Sequence, residues 1–199
     1  MLILMGYYIN HKKVYRLMKE NYLLMPKKTR IKKNYAKYRT VTPKASLEVL
    51  EMDIKYFYVA RDGRHAFVLT VIDTFTRVVL AWKVGFTINA RQVEHLWQNI
   101  IVQYLQPWDL LNKGVHLEIR NDNGPQFSAK SINAFFKQNY INQVFTHPYT
   151  PQENGHIESF HAIISKALGN NNFWSLDELE KRLNTFYNSY IDFMLGKGN

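Results

Sequence analysis

The sequence predicts an α/β fold in which helices flank a mixed sheet of five strands. Three segments rich in Val, Ile, Leu and aromatic residues follow one another between residues 49 and 86. Short turns between these segments indicate an antiparallel meander. Helical and strand patterns then alternate up to about residue 190, which is typical of helices that cover the faces of a sheet.

Strand patterns recur in five segments, at residues 49–60, 65–73, 77–86, 115–120 and 141–146. Helical patterns occupy four segments of the same region, at residues 90–105, 128–140, 150–168 and 176–190. The third helix carries two start signals, a capping box of Thr150 and Glu153 and a proline, Pro151, at its first position. The order of three strands, helix, strand, helix, strand and helix is that of a ribonuclease H-like fold.

The composition limits the kind of protein. With 46% hydrophobic and 15% aromatic residues, the 199-residue chain can bury the core of one main domain with an appendage. The absence of cysteine excludes disulfides, iron–sulfur clusters and zinc sites built on thiolates. The longest apolar run in the core, residues 66–72, is far too short to cross a membrane. We therefore expect a cytoplasmic, nucleoid-associated protein without a membrane partner.

The net charge of +10 is concentrated in the first part of the chain. Residues 1–44 contain twelve Lys or Arg and a single acid, Glu20, whereas the rest of the chain is almost neutral. Such an asymmetry indicates a polyanionic partner, most simply nucleic acid. A solvated basic arm without a partner would have the same composition.

Within this basic segment, residues 10–21 have a helical pattern with Asn10 as the N-cap. Apolar residues recur at helical spacing on one side, and basic residues gather on the other. The candidate DNA contacts of this helix are Lys12, Lys13, Arg16 and Lys19. Residues 27–44, dense in Lys, Arg and Tyr, are interpreted as a linker that follows phosphates, and the main domain is expected over 45–199.

Three acids fall on different predicted elements. Asp53 lies in the first strand, Asp122 directly after the fourth strand, and Glu158 on the third helix, with 35 residues between the last two. Each acid alone has an ordinary explanation, as an exposed strand residue, a turn residue or a solvated helix residue. Together they predict an all-oxygen cluster suited to Mg²⁺ or Mn²⁺, in which crowding raises at least one carboxyl pKa.

The flanks of the last two acids resemble a known family. NDNGPQF at residues 121–127 and PYTPQENGHIESF at 148–160 are similar to the second and third motifs of the retroviral-integrase-like DDE recombinases. They resemble still more closely the catalytic reading frame of bacterial insertion-sequence transposases, and the 35-residue gap matches the D,D(35)E pattern. INHKKVYRLM at residues 9–18 resembles the end of the helix-turn-helix that precedes this core, so residues 1–26 are interpreted as a partial helix-turn-helix.

The resemblance implies a triad of Asp53, Asp122 and Glu158 that binds Mg²⁺ or Mn²⁺, with two ions expected. It implies nicking of double-stranded DNA at element ends, followed by attack of a 3′-hydroxyl on target DNA, by a homo-oligomer. Loop positions that match those bordering DNA in the family are Asn123, Gly124, Gln126, Gln152, Asn154 and Gly155. Their small or amide side chains suit phosphate and base contacts.

The chain departs from the family pattern at three positions and at both ends. Leu50, Lys55 and Ser165 stand where the family usually has Trp, Thr and Lys, and the sequence at both ends differs from the family's, so the core is expected to be truncated at its C-terminus. This leaves two hypotheses, an active strand-transfer enzyme and a non-catalytic DNA-binding remnant. Lys55 shares a strand face with Asp53 and either screens the acids or contacts a phosphate. His161 is either a packing or DNA-facing residue or a metal ligand.

Overall fold

The computed structural model describes residues 10–24, 42–110, 116–147, 151–169 and 172–194. The chain divides into two units, residues 1–36 and residues 37–199. Most of the predicted linker, residues 27–44, lies outside the described residues.

The first unit contains a single described helix, α1 (His11–Glu20). Its start matches the prediction, because the side chain of Asn10 accepts a hydrogen bond from the backbone N–H of Lys12 at 2.9 Å. Asn21 ends the helix, and its side chain donates to the carbonyl of Leu17.

The second unit is built on a mixed sheet, as predicted. Its strands are β1 (Val49–Val59), β2 (Arg64–Asp73), β3 (Val79–Gly85), β4 (Leu117–Asn121), β5 (Ile141–Phe145) and β6 (Asn172–Phe173). Strands β3, β2 and β1 form the antiparallel meander, and β4 and β5 continue the sheet in parallel with β1. The two-residue β6, which was not predicted, pairs with the far end of β1.

The helices of this unit are α2 (Ala90–Ile100), α3 (Pro125–Ser128), α4 (Lys130–Gln138), α5 (Gly155–Leu168) and α6 (Leu176–Met194). The helix predicted over 90–105 ends in a π-helical turn, Ile101–Leu105. The predicted start of the third helix is wrong, because Pro151–Asn154 form a 3₁₀ turn and α5 begins at Gly155. Thr150 lies outside the described residues. Among the described residues, no helix is long and apolar enough to span a membrane.

Helices cover both faces of the sheet. One apolar cluster joins Leu50 and Met52 of β1 to Trp97 of α2 and Phe136 of α4. A second cluster joins Phe57 and Val59 to α5 and α6. Because successive strand residues face opposite sides, the odd-numbered residues of β1 face α5. This alternation directs Asp53 toward the helix that carries Glu158.

Candidate active site

Asp53 occupies the middle of the central strand. Its side chain is 24% exposed, and Oδ1 accepts a hydrogen bond from the backbone N–H of Ile54 at 2.8 Å. On the neighbouring parallel strand, Arg120 is in register with Glu51. Asp53 follows Glu51 by two residues within β1, and Asp122 follows Arg120 by two residues, just past the end of β4 at Asn121, so the two acids come from neighbouring strands.

Asp122 is the first residue after β4 and is exposed. Its Oδ1 accepts a hydrogen bond from the backbone N–H of Gly124 at 3.0 Å, an arrangement typical of an Asp that begins a turn. A Cβ atom on Gly124 would meet this same oxygen at 3.0 Å and would also run into the side-chain amide of Gln126. The absence of a side chain at position 124 therefore leaves the Asp122 carboxylate free to take this position.

Glu158 lies in the first turn of α5 and is exposed. A carboxylate is favourable at this end of a helix, where the backbone N–H groups carry partial positive charge. Burial of part of the group nevertheless raises the pKa of Glu158. The carboxyl group of Glu158 therefore holds its proton more tightly than it would in water.

The three acids interact electrostatically. The pKa of Asp53 is raised from 3.8 to about 7, first because the group is buried and further because Asp122 and Glu158 place negative charge near it. The N–H of Ile54 and the ammonium of Lys55 act in the opposite direction. The charges of Asp122 and Glu158 act in the direction predicted from crowding, but burial is the larger cause of the raised pKa of Asp53.

The same acids do not form a ready-made metal cage. Among the residues that the structure describes, no three His, Asp or Glu side chains converge closely enough to hold a metal ion. Like charges repel, so carboxylates gather only when a cation or a proton offsets their charge.

His161 packs directly against Asp53. The residue is 8% exposed, and the Nδ1 of its ring lies 3.4 Å from Oδ2 of Asp53. Burial, and then the charge of Lys55, lower the pKa of His161 to about 4. The ring is therefore neutral near pH 7, and the contact is not an ion pair there. Its Nε2 is buried without a hydrogen-bond partner in the described part of the chain.

Glu51 is an acid of this region that the sequence analysis missed. It is completely buried on the Asp53 face of β1, and its Oε2 accepts a hydrogen bond from the backbone N–H of Ile157 at 2.7 Å. Burial raises the pKa of Glu51 to about 7, although the N–H of Ile157 and the charges of Arg77 and Arg120 oppose the shift. The signal was present in the sequence, because Glu51 stands two residues before Asp53 and so shares its face.

Lys55 lies on the Asp53 face and is half-buried. Its ammonium lies 5.6 Å from the centre of the Phe57 ring. Burial lowers the pKa of Lys55, while the charge of Asp53 acts to raise it. This position agrees with either of the roles expected from the sequence, screening of the acids or contact with a phosphate.

The loop residues predicted to contact DNA occupy different environments. Asn123 is exposed, and its side-chain amide donates to the carbonyl of Thr146 at 3.1 Å, while Gln126 is half-buried. Asn154 is only 6% exposed, so its amide is not presented to solvent in this arrangement. Gln152 lies in the 3₁₀ turn, and its side chain is outside the described residues.

The basic side chains of α1 are presented to solvent in their own unit. All four predicted DNA contacts are exposed: Lys12, Lys13, Arg16 and Lys19. Arg16 also lies 3.7 Å from the carboxylate of Glu20, one turn further along the helix. An exposed pair of this kind contributes little to stability, so Arg16 can exchange Glu20 for another anion.

Solved structures of recombination enzymes share this fold. The catalytic domain of the Mos1 mariner transposase matches with a TM-score of 0.58 and 15% identity, over 76% of this chain and 77% of the other. A pre-cleavage Mos1 transpososome matches with a TM-score of 0.59 and 14% identity, over 76% of this chain and 53% of the other. A chain of a simian T-cell lymphotropic virus intasome structure matches with a TM-score of 0.53 and 16% identity, over 67% of this chain and 44% of the other.

The sequence is also similar to proteins from an insertion element and from a retrovirus. An uncharacterized 39.2 kDa protein of insertion element IS476 from Xanthomonas euvesicatoria is 28% identical over 153 residues, which are 76% of this chain and 41% of that protein. The Gag-Pro-Pol polyprotein of Simian retrovirus SRV-2 is 26% identical over 118 residues, 59% of this chain and 6% of the polyprotein. The chain thus spans less than half the length of these relatives.

Two family definitions described as integrase core domain match the chain, one over residues 43–151 and the other over residues 139–191. The first contains Asp53 and Asp122, and the second contains Glu158. Because the first match alone covers more than half of the sequence, the chain belongs to the integrase core domain family.

Proposed function

We propose that this protein is a metal-dependent DNA transposase that nicks element ends and transfers the freed strand to target DNA. Asp53, Asp122 and Glu158 are its proposed catalytic residues. The observation that carries the proposal is the meeting of the three elements that carry these acids. β1, which contains Asp53, pairs in parallel with β4, which Asp122 directly follows, and Glu51 of β1 accepts a hydrogen bond from Ile157, the residue before Glu158 on α5. In keeping with this arrangement, the charges of Asp122 and Glu158 contribute to the raised pKa of Asp53, after its burial.

The donor set suits the proposed cofactor. The three side chains offer only oxygen atoms, and the chain has no cysteine, which favours a hard cation such as Mg²⁺ or Mn²⁺. The catalytic domain of the Mos1 transposase, which has the same fold, has been solved with Mg and with Mn. When bound to the three acids, two such ions would activate the attacking oxygen and stabilise the leaving oxygen of a phosphodiester.

The chain's own residues prepare this site. Asp53 must lose its proton to act as a ligand, and with a pKa of about 7 it does so near neutral pH. Before a metal binds, the positive charge of Lys55 reduces the repulsion among the acids and so acts to lower the pKa of Asp53. His161 is neutral at this pH and fills the space beside Asp53 without adding charge.

Double-stranded DNA is the proposed partner. The exposed cations of α1 and the surrounding basic segment supply positive charge, while the three acids supply the proposed chemistry. Solved relatives include a Mos1 mariner paired end complex and a viral intasome, which are assemblies rather than isolated domains. We therefore propose that the protein works as a homo-oligomer on DNA.

A nicking assay tests the proposal. Supercoiled plasmid is incubated with the wild type, Asp122→Asn or Asp62→Asn in the presence of Mn²⁺. Asp62 is an exposed acid in the β1–β2 turn, so its replacement removes the same charge away from the proposed site. Nicked circles from the wild type and the Asp62 variant, but not from the Asp122 variant, are expected.

Two other results of the nicking assay would lead to different conclusions. Equal nicking by the wild type and Asp122→Asn would contradict the assigned site. Retention of DNA without metal-dependent nicking by any of the proteins would support the alternative, a non-catalytic DNA-binding remnant. That alternative draws on the location of the excess charge, which lies in residues 1–44 and not in the part of the chain that contains the acids.

A further inference from the structure

We propose that Glu51 is a positioning residue that fixes the first turn of α5 on β1 and thereby places Glu158 opposite Asp53. The inference rests on the proposed function, since it concerns how two of the proposed metal ligands are held. It assigns no metal contact to Glu51 itself.

The geometry links the two ligand-bearing elements at one point. Glu51 stands two residues before Asp53 on the same face of β1, and Ile157 immediately precedes Glu158 on α5. The 2.7 Å hydrogen bond from the Ile157 N–H to Oε2 of Glu51 therefore joins β1 and α5 beside both ligands. A shift of α5 along its axis would break this bond and displace Glu158.

A carboxylate is well suited to this position. The first N–H groups of a helix have no partner within the helix and carry partial positive charge. Arg77 and Arg120 supply further positive charge near Glu51. These groups offset part of the cost of burying the carboxylate, whose other oxygen, Oε1, has no hydrogen-bond partner among the described residues.

Apolar packing does not fix the position of α5 along its axis. Phe160, Ile164 and Leu168 bury α5 against the sheet and α6. Such contacts are non-directional and favour any position of the helix that keeps the apolar area covered. A hydrogen bond of fixed length at the first turn selects one position along the axis. We therefore assign the position of Glu158 along the axis of α5 to Glu51.

Two conservative variants separate the effect of the hydrogen bond to Ile157 from the effect of the charge on Glu51. Glu51→Gln keeps the length of the side chain and an oxygen that can accept from Ile157, but removes the charge. Glu51→Asp keeps the charge, but its carboxylate is one methylene shorter and cannot reach the same N–H from an unchanged backbone. If the bond positions α5, the Gln variant retains function and the Asp variant loses it. If the charge alone matters, the order is reversed.

Tyr187→Phe is the matched control. Tyr187 is buried on the same side of the sheet, and its hydroxyl lies 2.7 Å from that of Thr70. This variant also removes a buried hydrogen bond, but one between α6 and β2. A loss of metal affinity caused by general loosening of this face would appear in it as well.

The measurement is the Mn²⁺ affinity of the full chain by isothermal titration calorimetry, with circular dichroism as the check of folding. Loss of a group that orients a ligand typically weakens metal binding about 10- to 100-fold, and we expect a loss of this size for Glu51→Asp. Glu51→Gln and Tyr187→Phe are expected to bind Mn²⁺ with nearly the wild-type affinity.

The outcomes distinguish the two proposals. Wild-type Mn²⁺ binding that is unchanged by Asp122→Asn would overturn the proposed site and, with it, the proposed function. A folded Glu51→Asp variant with wild-type affinity, alongside an Asp122 variant that has lost binding, would overturn only the role of Glu51. Weak binding by Glu51→Gln together with normal binding by Glu51→Asp would also overturn it. If Glu51→Asp does not fold, the affinity of Glu51→Gln still decides, because a weak value contradicts the positioning role.

Discussion

The Nδ1 atom of His161 on α5 lies 3.4 Å from Oδ2 of Asp53 on β1, and both side chains are largely buried. The pKa of His161 is lowered to about 4 and that of Asp53 is raised to about 7. Between these values both side chains are neutral, so protonated Asp53 can share its proton with the ring. A cation that binds Asp53 must displace this proton, which couples metal binding to pH.

Stability of the metal-free protein should fall as pH rises through 7. The folded pKa of Asp53 and of Glu51 is about 7, above their ordinary values of 3.8 and 4.5. Between these values the folded state holds more protons than the unfolded state, and their contribution to stability is lost as pH rises through 7. The slope is at most about 1.4 kcal/mol per pH unit for each group.

Urea denaturation in EDTA at a series of pH values from 6.5 to 8.5 measures this effect. The lowered pKa of His161 acts in the opposite direction near its ordinary value of 6.5, at the lower end of this interval, but one such group is outweighed by the two acids. Asp53→Asn should reduce the slope. A free energy of unfolding that increases with pH over this interval would contradict the assigned pKa shifts.

Asp53→Asn should stabilise the metal-free protein at pH 8 and abolish its response to metal. The substitution removes one of three mutually repelling charges from a buried position, so the melting temperature without metal rises. Mg²⁺ stabilises the wild type by binding the folded state, and the variant lacks a ligand for it. Thermal melts with and without Mg²⁺ check both effects. Asp62→Asn should respond to Mg²⁺ as the wild type does.

Gly124→Ala should weaken metal binding, whereas Gly155→Ala should not. A Cβ at position 124 would meet Oδ1 of Asp122 at 3.0 Å and displace the Gln126 amide, while position 155 has no atom within 4 Å of a new Cβ. Neither glycine has a positive φ. Alanine at the start of α5 should be neutral or stabilise the helix by up to about 1 kcal/mol. Mn²⁺ titration of both variants tests the difference, and equal affinities would contradict it.

Tyr187→Phe should lower the free energy of unfolding by about 1–3 kcal/mol, because it leaves the buried Thr70 hydroxyl without its partner. The ring stacks on Trp82 at 4.6 Å, a contact that phenylalanine retains. Urea denaturation followed by tryptophan fluorescence measures the loss. Adding Thr70→Val removes the unpaired hydroxyl and should recover part of the stability. No recovery in the double variant would argue against this explanation.

Replacing Lys12, Arg16 and Lys19 together by alanine should weaken DNA binding and its dependence on salt. Each lost phosphate contact should reduce the slope of log affinity against log salt by about 0.9. Alanine is a strong helix former, so the change should not unfold α1. Filter binding of duplex DNA from low to high salt measures the slope. Equal slopes for the triple variant and the wild type would exclude phosphate contacts by α1.

The sequence predicted the strands of the meander to within about two residues, because their apolar residues are bounded by clear turn signals. It did not predict β6, since two residues carry no periodicity. The π-helical turn after α2 also escaped prediction. Its apolar spacing resembles that of an α-helix, and the change appears only in the hydrogen bonding.

The acids of the candidate site could be identified from the sequence because their flanking motifs are distinctive. The residues that surround them in the structure could not be identified in this way. The contact of His161 with Asp53 depends on how α5 packs on β1, which no local pattern contains. Glu51 was overlooked because a charged residue in a strand is usually assigned to solvent. Asn154 was expected in an exposed loop, but the 3₁₀ turn that holds it is packed against the protein.

The most direct test of the central claim is a crystal structure of the full chain soaked in Mn²⁺, with the ions located by anomalous scattering. We predict Mn²⁺ bound by carboxylate oxygens of Asp53, Asp122 and Glu158, at distances of about 2.0–2.3 Å. The three side chains should move together relative to the metal-free arrangement. Ions bound elsewhere, with these three carboxylates still apart at saturating Mn²⁺, would contradict the account.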